Sequence, residues 1–218
     1  MIRTITVERE YGAGGGVIAK KLAARLGWKL WDQELTCEIA RVAKVDQAVV
    51  ERMDERCDSL FYRLMKVFMR GSMEQTMSVR GMGHFDADSM VEFMRRVISG
   101  AAAEGNSVIV GRGAPFLLRG RPDTFHVFVY APHEEKIRRL CEAGKSEDQA
   151  IDEIENIDRQ RVIFVHKYFG MEWPTRELYD LMINSRVGDD VVIDTILNQV
   201  HSITAQKIPS DLSWQGRS

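Results

Sequence analysis

Cysteine is scarce in this chain of 218 residues, which contains only Cys37, Cys57 and Cys141 at wide spacings. This pattern argues against a disulfide framework and against a zinc site built from closely spaced cysteines, so the thiols are expected to be reduced. The histidines form no H-x-x-x-H or H-E-x-x-H pattern. A metal ion held by protein side chains alone is therefore not expected.

An excess of charge of one sign is also missing, because 30 basic and 32 acidic residues leave a net charge of −2. Without a basic field, a nucleic-acid partner is not expected. No apolar run approaches the roughly 18 residues of a membrane span, and the N-terminus lacks the apolar core of a signal peptide. We expect a cytoplasmic protein without a membrane partner, and the sequence contains no indication of its oligomeric state.

The N-terminal 26 residues combine a strand pattern, a glycine loop and a helix pattern. Residues 2–7 predict a short strand, and residues 18–26 repeat apolar side chains at helical spacing. A helix that begins directly after a glycine loop points unpaired N–H groups into the loop, where its dipole favours negative charge. We predict a phosphate site there, the alternative being a tight turn without a ligand. Its lining would be Gly12, Ala13, Gly14, Gly15, Gly16 and Val17.

Two side chains of the usual phosphate-binding loop are missing. In the pattern G-x-x-x-x-G-K-[ST], the lysine contacts the outer phosphates and the hydroxyl binds Mg²⁺. Here Gly15 and Val17 hold those two positions. Either other residues supply the contacts, with Arg9, Lys20 and Lys21 nearby, or phosphate is bound without efficient transfer. For Lys20 and Lys21, a solvated helix face is the simpler interpretation.

Asp32 and Arg112 are further candidate ligand contacts. Asp32 ends a short, aromatic-rich extended stretch, where its carboxylate could cap the next helix and could also orient a substrate or a hydrated Mg²⁺. Arg112 lies between two glycines after the apolar residues 107–110, which predict a buried strand. Ligands bind at the carboxyl ends of such strands, and a guanidinium suits phosphate. The alternative for Arg112 is a surface turn.

Between these two positions, the sequence predicts helices and one loop. Residues 34–70 have the apolar spacing of two or three helices, and a further helix is predicted from about residue 88 to 104. The methionine-rich residues 71–88 have no clear period and predict a long loop. Arg80 is the candidate substrate contact in that loop.

The second half of the chain alternates strand and helix patterns. Residues 124–130 predict a strand and residues 133–143 a helix, as expected for a parallel sheet with crossover helices. Residues 146–149 have capping-box spacing and start the next helix. In that helix Asp158, Arg159 and Arg161 form either a solvent-facing ion-pair network or a lid whose arginines close over a transferring phosphoryl group. A turn over 168–174, a strand over 179–184 and a final helix follow.

Five segments together resemble the cytidylate kinase-like proteins within the P-loop nucleoside monophosphate kinases. The resemblance covers about residues 1 to 200. In chain order the segments are EREYGAGG at 8–15 followed by Ile18-Ala19, VGRG at 110–113, HVFVYAP at 126–132, IDRQR at 157–161 and YDLMIN at 179–184.

The resemblance implies an α/β fold of the three-layer P-loop NTPase type, a parallel sheet flanked by helices with a helical monophosphate-binding region and a lid. We expect a single domain over 1–205 followed by a flexible tail over 206–218. Within the domain, the expected core covers 1–32, 105–144 and 178–205, the helical insert covers about 33–104, and the lid covers about 145–172.

The resemblance also implies an activity, the Mg²⁺-dependent transfer of the ATP γ-phosphoryl group to CMP, dCMP or a related phosphorylated acceptor. The glycine loop would cradle the donor phosphates and Arg112 would hold the acceptor phosphate. Arg159 and Arg161 would neutralise the transition state, and Asp158 would position the lid arginines or the acceptor. Because Gly15 and Val17 depart from the pattern, the alternative is a nucleotide-binding sensor or regulatory protein without efficient turnover. A scaffold that has lost its ligand is a third possibility.

Overall fold

A parallel β-sheet lies at the centre of the molecule. The structure is a computed structural model and describes residues 1–32 and 87–205. The strand order is β2-β3-β1-β4-β5, and every neighbouring pair is parallel. Strands β1, β3 and β4 are buried along nearly their whole length because helices cover both faces of the sheet. Their bounds are β1 Thr4–Arg9, β2 Lys29–Trp31, β3 Ser107–Val110, β4 Thr124–Tyr130 and β5 Leu181–Asn184.

The helices connect these strands and pack in two layers. Those of the described ranges are α1 Gly15–Leu26, α2 Ala87–Glu104, α3 Ala114–Leu117, α4 His133–Glu142, α5 Glu147–Phe169 and α6 Asp189–Ala205. On one face of the sheet, α1 and α6 pack in one apolar cluster with β1, β3 and β4. On the other face, α2 and α5 pack in a second cluster. This arrangement confirms the predicted three-layer fold with a parallel sheet flanked by helices.

Two segments of the predicted organisation differ in the structure, one before β3 and one after α5. Residues 87–104, which we assigned to the helical insert, form α2, and its Met94, Ile98 and Ala101 are buried against the sheet. The turn predicted over 168–174 starts later, because α5 continues to Phe169 and ends at Gly170 in the left-handed conformation. The rest of the insert, residues 33–86 with Arg80, and the predicted tail lie outside the described residues.

A buried polar pair joins the two central strands. Thr6 and His126 are register partners on β1 and β4, and Thr6 Oγ1 lies 2.7 Å from His126 Nδ1. Burial lowers the pKa of His126 below its usual 6.5, although the Asp180 carboxylate acts in the opposite direction. The folded chain therefore keeps this imidazole neutral at pH values where the unfolded chain protonates it.

We expect this histidine to make the protein less stable in mild acid. Below pH 6.5 the imidazole of the unfolded chain binds a proton, whereas the buried imidazole of the folded chain stays neutral. The free energy of unfolding therefore falls as the pH drops from 6.5 towards the lower pKa of His126 in the folded chain. Thermal unfolding of the wild type should lose more Tm between about pH 7.5 and pH 5 than that of His126→Asn, whose amide keeps a partner for Thr6 but does not titrate. Equal losses of Tm in both proteins would contradict this expectation.

Candidate phosphate-binding site

The loop between β1 and α1 has the shape of a phosphate cradle. Gly12 has φ 79° and Gly14 has φ 77°, a backbone conformation that residues with a side chain rarely adopt. The first helical hydrogen bond runs from the Ile18 N–H to the Gly14 carbonyl at 3.0 Å. The N–H groups of the three residues before Ile18 consequently have no acceptor inside α1 and point towards the loop. The Val17 side chain is 54% exposed in this turn.

A hydrogen bond from the residue that follows edge strand β5 holds the loop. Ser185, directly after β5, is fully buried, and its hydroxyl donates to the Ala13 carbonyl at 2.7 Å. Ala13 is fully buried as well. This buried hydrogen bond stabilises the conformation of the loop from within the protein.

Helix α4 brings two basic side chains against the same loop, which the sequence analysis missed. Lys136 is 8% exposed, and its Cβ lies only 3.0 Å from the place where a Cβ on Gly12 would be. A Cβ on Gly14 would collide with the guanidinium of Arg139. The available signal was their i, i+3 spacing on the helix that follows β4, since β4 is the neighbour of β1 in the sheet.

Carboxylates accompany both of these cations. The Lys136 ammonium lies 3.1 Å from Glu10 Oε2 and 3.7 Å from Asp158 Oδ2. The Arg139 guanidinium pairs with Glu135 at 2.9 Å and with Asp189 at 3.2 Å. The edge of the loop that faces α4 is therefore a network of paired charges.

The three cations proposed near the loop differ in position. Lys20 and Lys21 are both exposed, which fits the solvated helix face expected for them. Lys21 also pairs at 3.3 Å with Asp189 at the start of α6, the carboxylate that pairs with Arg139. Arg9 is different, since its aliphatic stem passes over Gly15 and its guanidinium reaches Gly111. Its side chain is 14% exposed. Of these three cations, Arg9 is thus the one that lies between the glycine loop and the turn after β3.

Asp32 and Arg112 meet at the carboxyl ends of β2 and β3. The Arg112 side chain is 3% exposed, and its Nη1 lies 3.4 Å from Asp32 Oδ1 and 3.3 Å from the Val110 carbonyl oxygen. Arg112 itself has φ 56°, between Gly111 at 62° and Gly113 at 74°. Three successive left-handed residues turn the chain sharply after β3, which carries the guanidinium back to the edge of the sheet.

The predicted lid helix contacts the glycine loop. Ser146 and Gln149 form the expected capping box at the start of α5. Further along α5, Asp158 Oδ1 accepts hydrogen bonds from the Tyr11 N–H at 2.9 Å and from Arg161 Nη1 at 2.7 Å. The Arg161 guanidinium also lies 5.8 Å from the centroid of the Trp173 ring, within range of a cation–π interaction.

Arg159 is exposed, in contrast to Arg161. Residues two apart on an α-helix point about 200° away from each other, so these two arginines face different sides of α5. The structure therefore brings Asp158 and Arg161 to the glycine loop and leaves Arg159 on the solvent side. The catalytic roles assigned to all three stay predictions.

The site fits a phosphate chain better than it fits a metal ion bound by the protein. Within residues 1–32 and 87–205, no group of three or more His, Cys, Asp or Glu side chains is arranged to hold a metal. Neither Gly16, which directly follows the lysine position, nor Val17 offers the side-chain oxygen that the usual loop has as its hydroxyl ligand. The loop N–H groups and the surrounding cations, by contrast, are suited to phosphate oxygens.

The helices of the described ranges include none with the length and hydropathy of a membrane span.

Solved structures of kinases and related proteins share this fold. An uncharacterized protein from Eubacterium ventriosum superposes with a TM-score of 0.65 at 24% identity, covering 93% of this chain and 99% of that chain. Shikimate kinase from Bacteroides thetaiotaomicron superposes with a TM-score of 0.50 at 18% identity, covering 92% and 99%. At these identities the similarity shows the fold.

Sequence comparison is more specific. Cytidylate kinase from Ignicoccus hospitalis is 28% identical over 103 residues, which is 46% of this chain and 59% of that relative. The match therefore spans little more than half of the curated relative's length. The model of the cytidylate kinase-like family matches residues 4–187, most of the chain. From the fold, the glycine loop and this extended match, we conclude that the chain belongs to the cytidylate kinase-like family.

Proposed function

We propose that this protein is an ATP-dependent nucleoside monophosphate kinase whose acceptor is CMP, dCMP or a close relative. One observation carries the proposal: the glycine loop and the Arg112–Asp32 pair follow neighbouring strands and lie at the same edge of the sheet. Donor and acceptor phosphates bound at these two places would be adjacent. Membership in the cytidylate kinase-like family supports the choice of acceptor.

On the donor side, the chain supplies backbone N–H groups and positive charge. The N–H groups of residues 15–17 would bind the phosphate oxygens of ATP, and the helix dipole would favour their charge. ATP, when bound, supplies the phosphoryl group that is transferred. Mg²⁺ would be held mainly by the nucleotide phosphates, because Val17 provides no ligand for it.

On the acceptor side, Arg112 would bind the monophosphate through its fork of N–H donors. Its rigid burial fixes the direction in which the acceptor phosphate presents an oxygen to the donor, and such positioning is the main contribution that a kinase site makes. Asp32 would keep the guanidinium oriented and could accept a hydrogen bond from the acceptor. Arg161, held by Asp158, would stabilise charge on the transferring group.

The proposal is tested by transfer of label from γ-labelled ATP, with Mg²⁺, to a panel of nucleoside monophosphates led by CMP and dCMP. We expect a labelled nucleoside diphosphate, formed fastest with a cytidine acceptor. A panel without any labelled diphosphate, from protein shown by thermal unfolding to be folded, would contradict the assignment as a nucleoside monophosphate kinase.

A second function, nucleotide sensing without turnover, is favoured by the side chain at position 17. Val17 exposes an apolar surface where a catalytic hydroxyl is usual, and the Asp158 carboxylate already occupies the Tyr11 N–H of the loop. Tight ATP binding without a labelled product, together with altered proteolysis of residues 71–88 on binding, would support this function over the kinase.

A further inference from the structure

The side chain of Arg9 and the side-chain position of residue 15 occupy the same space. A Cβ built on Gly15 would lie 2.5 Å from Arg9 Cβ and 2.8 Å from Arg9 Cγ, closer than real Cβ contacts occur. Both of those atoms belong to the stem of Arg9, next to the backbone of β1, so they cannot swing aside easily. In this conformation a lysine at position 15 therefore clashes with arginine at position 9, and position 9 would have to lack a Cβ to make room for it.

The guanidinium of Arg9 extends from the start of α1 towards the turn that carries Arg112. A Cβ on Gly111 would collide with Arg9 Nη1, so the glycine at this position allows the guanidinium to approach the backbone of the turn. The charge of Arg9 is thus placed between the glycine loop and the Arg112 turn. In the proposed kinase this is where the outer phosphates of the donor meet the acceptor.

Arg9 is also less neutralised than the other cations near the loop. Lys136 has a carboxylate oxygen at 3.1 Å and Arg139 has one at 2.9 Å. Among the described residues, Arg9 forms an ion pair with Glu8. Its Nη1 lies 3.9 Å from Glu8 Oε1, which is near the distance limit for an ion pair. With a side chain only 14% exposed, its charge is weakly screened by water. Such a charge is available to an incoming anion.

We propose that Arg9 replaces the lysine missing from the phosphate-binding loop and contacts the outer phosphates of the bound nucleoside triphosphate. The inference rests on the proposed function and deepens it, because it identifies the source of the positive charge that Gly15 cannot provide. A guanidinium is suited to this role, since its planar donors can bind two phosphate oxygens at once. Glycine at position 15 is then a requirement of Arg9, which needs the vacant space.

The test measures ATP binding by calorimetry in a set of matched variants. Arg9→Met keeps the stem over Gly15 and removes the charge, and we expect it to weaken ATP binding at least tenfold. Gly15→Lys should weaken ATP binding too, because the new side chain collides with Arg9. In the double variant Arg9→Gly/Gly15→Lys the Cβ at position 9 is gone and the lysine has room, and we expect ATP binding several-fold tighter than in Arg9→Gly. Arg25→Ala, an exposed residue at the end of α1, is the control and should bind ATP as the wild type does.

The outcomes separate the two proposals. If the wild type binds ATP and transfers phosphate while Arg9→Met binds ATP equally tightly, the role of Arg9 is wrong and the kinase stands. If the wild type binds no ATP, both the kinase and the role of Arg9 are wrong. If Arg9→Gly and the double variant, both shown to be folded by their thermal unfolding, bind ATP equally weakly, Arg9 does not occupy the place of the lysine.

Discussion

Replacing Arg112 with alanine is expected to lower kcat/KM for phosphoryl transfer to CMP by about a hundredfold, or about 2.7 kcal/mol of transition-state stabilisation. The guanidinium is buried at the end of β3 and is held by Asp32 and by the Val110 carbonyl. Its loss would remove the donors for the acceptor phosphate and would leave the Asp32 carboxylate at the acceptor site without its cation. Both changes act against a bound anion.

The substitution should act on chemistry more than on folding. Arg112 already has a left-handed backbone, with φ 56°, so alanine carries no conformational penalty that arginine avoids. Steady-state rates with CMP varied at saturating ATP would check the prediction, with the exposed Arg119→Ala as the control from the same connection. Arg112→Lys should recover only part of the loss, because an ammonium lacks the planar fork. Unchanged kcat/KM in Arg112→Ala would show that the acceptor phosphate binds elsewhere.

Two glycine-to-alanine substitutions four residues apart should change stability in opposite directions. In Gly12→Ala, the new Cβ would meet Lys136 Cβ at 3.0 Å and Lys136 Cα at 3.3 Å, and the backbone at φ 79° is strained for alanine. Left-handed strain and overpacking against α4 together should cost about 3 kcal/mol. In Gly16→Ala, the Cβ meets nothing within 4 Å. Alanine in α1 should then stabilise the protein by up to about 1 kcal/mol.

Thermal unfolding of the two variants checks this pair. For a domain of this size we expect Gly12→Ala to lower Tm by about 6 to 12 °C and Gly16→Ala to leave Tm unchanged or raise it slightly. The same Gly12→Ala substitution should weaken ATP binding, since it moves α4 away from the loop. A Tm of Gly12→Ala equal to that of the wild type would mean that the contact between the glycine loop and α4 is not a close one.

The sheet could be predicted from the sequence because its strands are short apolar runs between strong turn signals. The alternation of such runs with helices predicts a parallel sheet, whereas the order β3-β1-β4, with β1 between the other two strands, is visible only in the structure. The boundary between the helical insert and the core was harder to predict. Residues 87–104 have an amphipathic pattern that a helix of either region would show. Only their packing against β3 shows that they belong to the sheet layer.

For the candidate site, sequence reasoning found the positions that local pattern controls and missed those that depend on tertiary contacts. The glycine loop and Arg112 were predicted because each follows a strand directly. Lys136 and Arg139 were missed because their contact with the loop needs the position of α4 relative to α1. Arg9 was considered as one of three cations. Its close approach to Gly15, which distinguishes it from the other two, is a property of side-chain direction in three dimensions.

The pairing of β1 with β3 sets a length scale for the site. Val7 and Val110 are partners in the ladder, and the Gly111 N–H donates to the Val7 carbonyl at 3.0 Å. The Arg112 turn therefore begins beside Glu8, while β1 continues to Arg9 before the glycine loop. Adjacent strands lie about 4.8 Å apart, so the pairing of β1 with β3 keeps the glycine loop and the Arg112 turn close together. A slip of one residue in β3 would displace Arg112 by about 3.3 Å along the strand direction. The register of the hydrogen-bond ladder therefore sets the distance between Arg112 and the glycine loop.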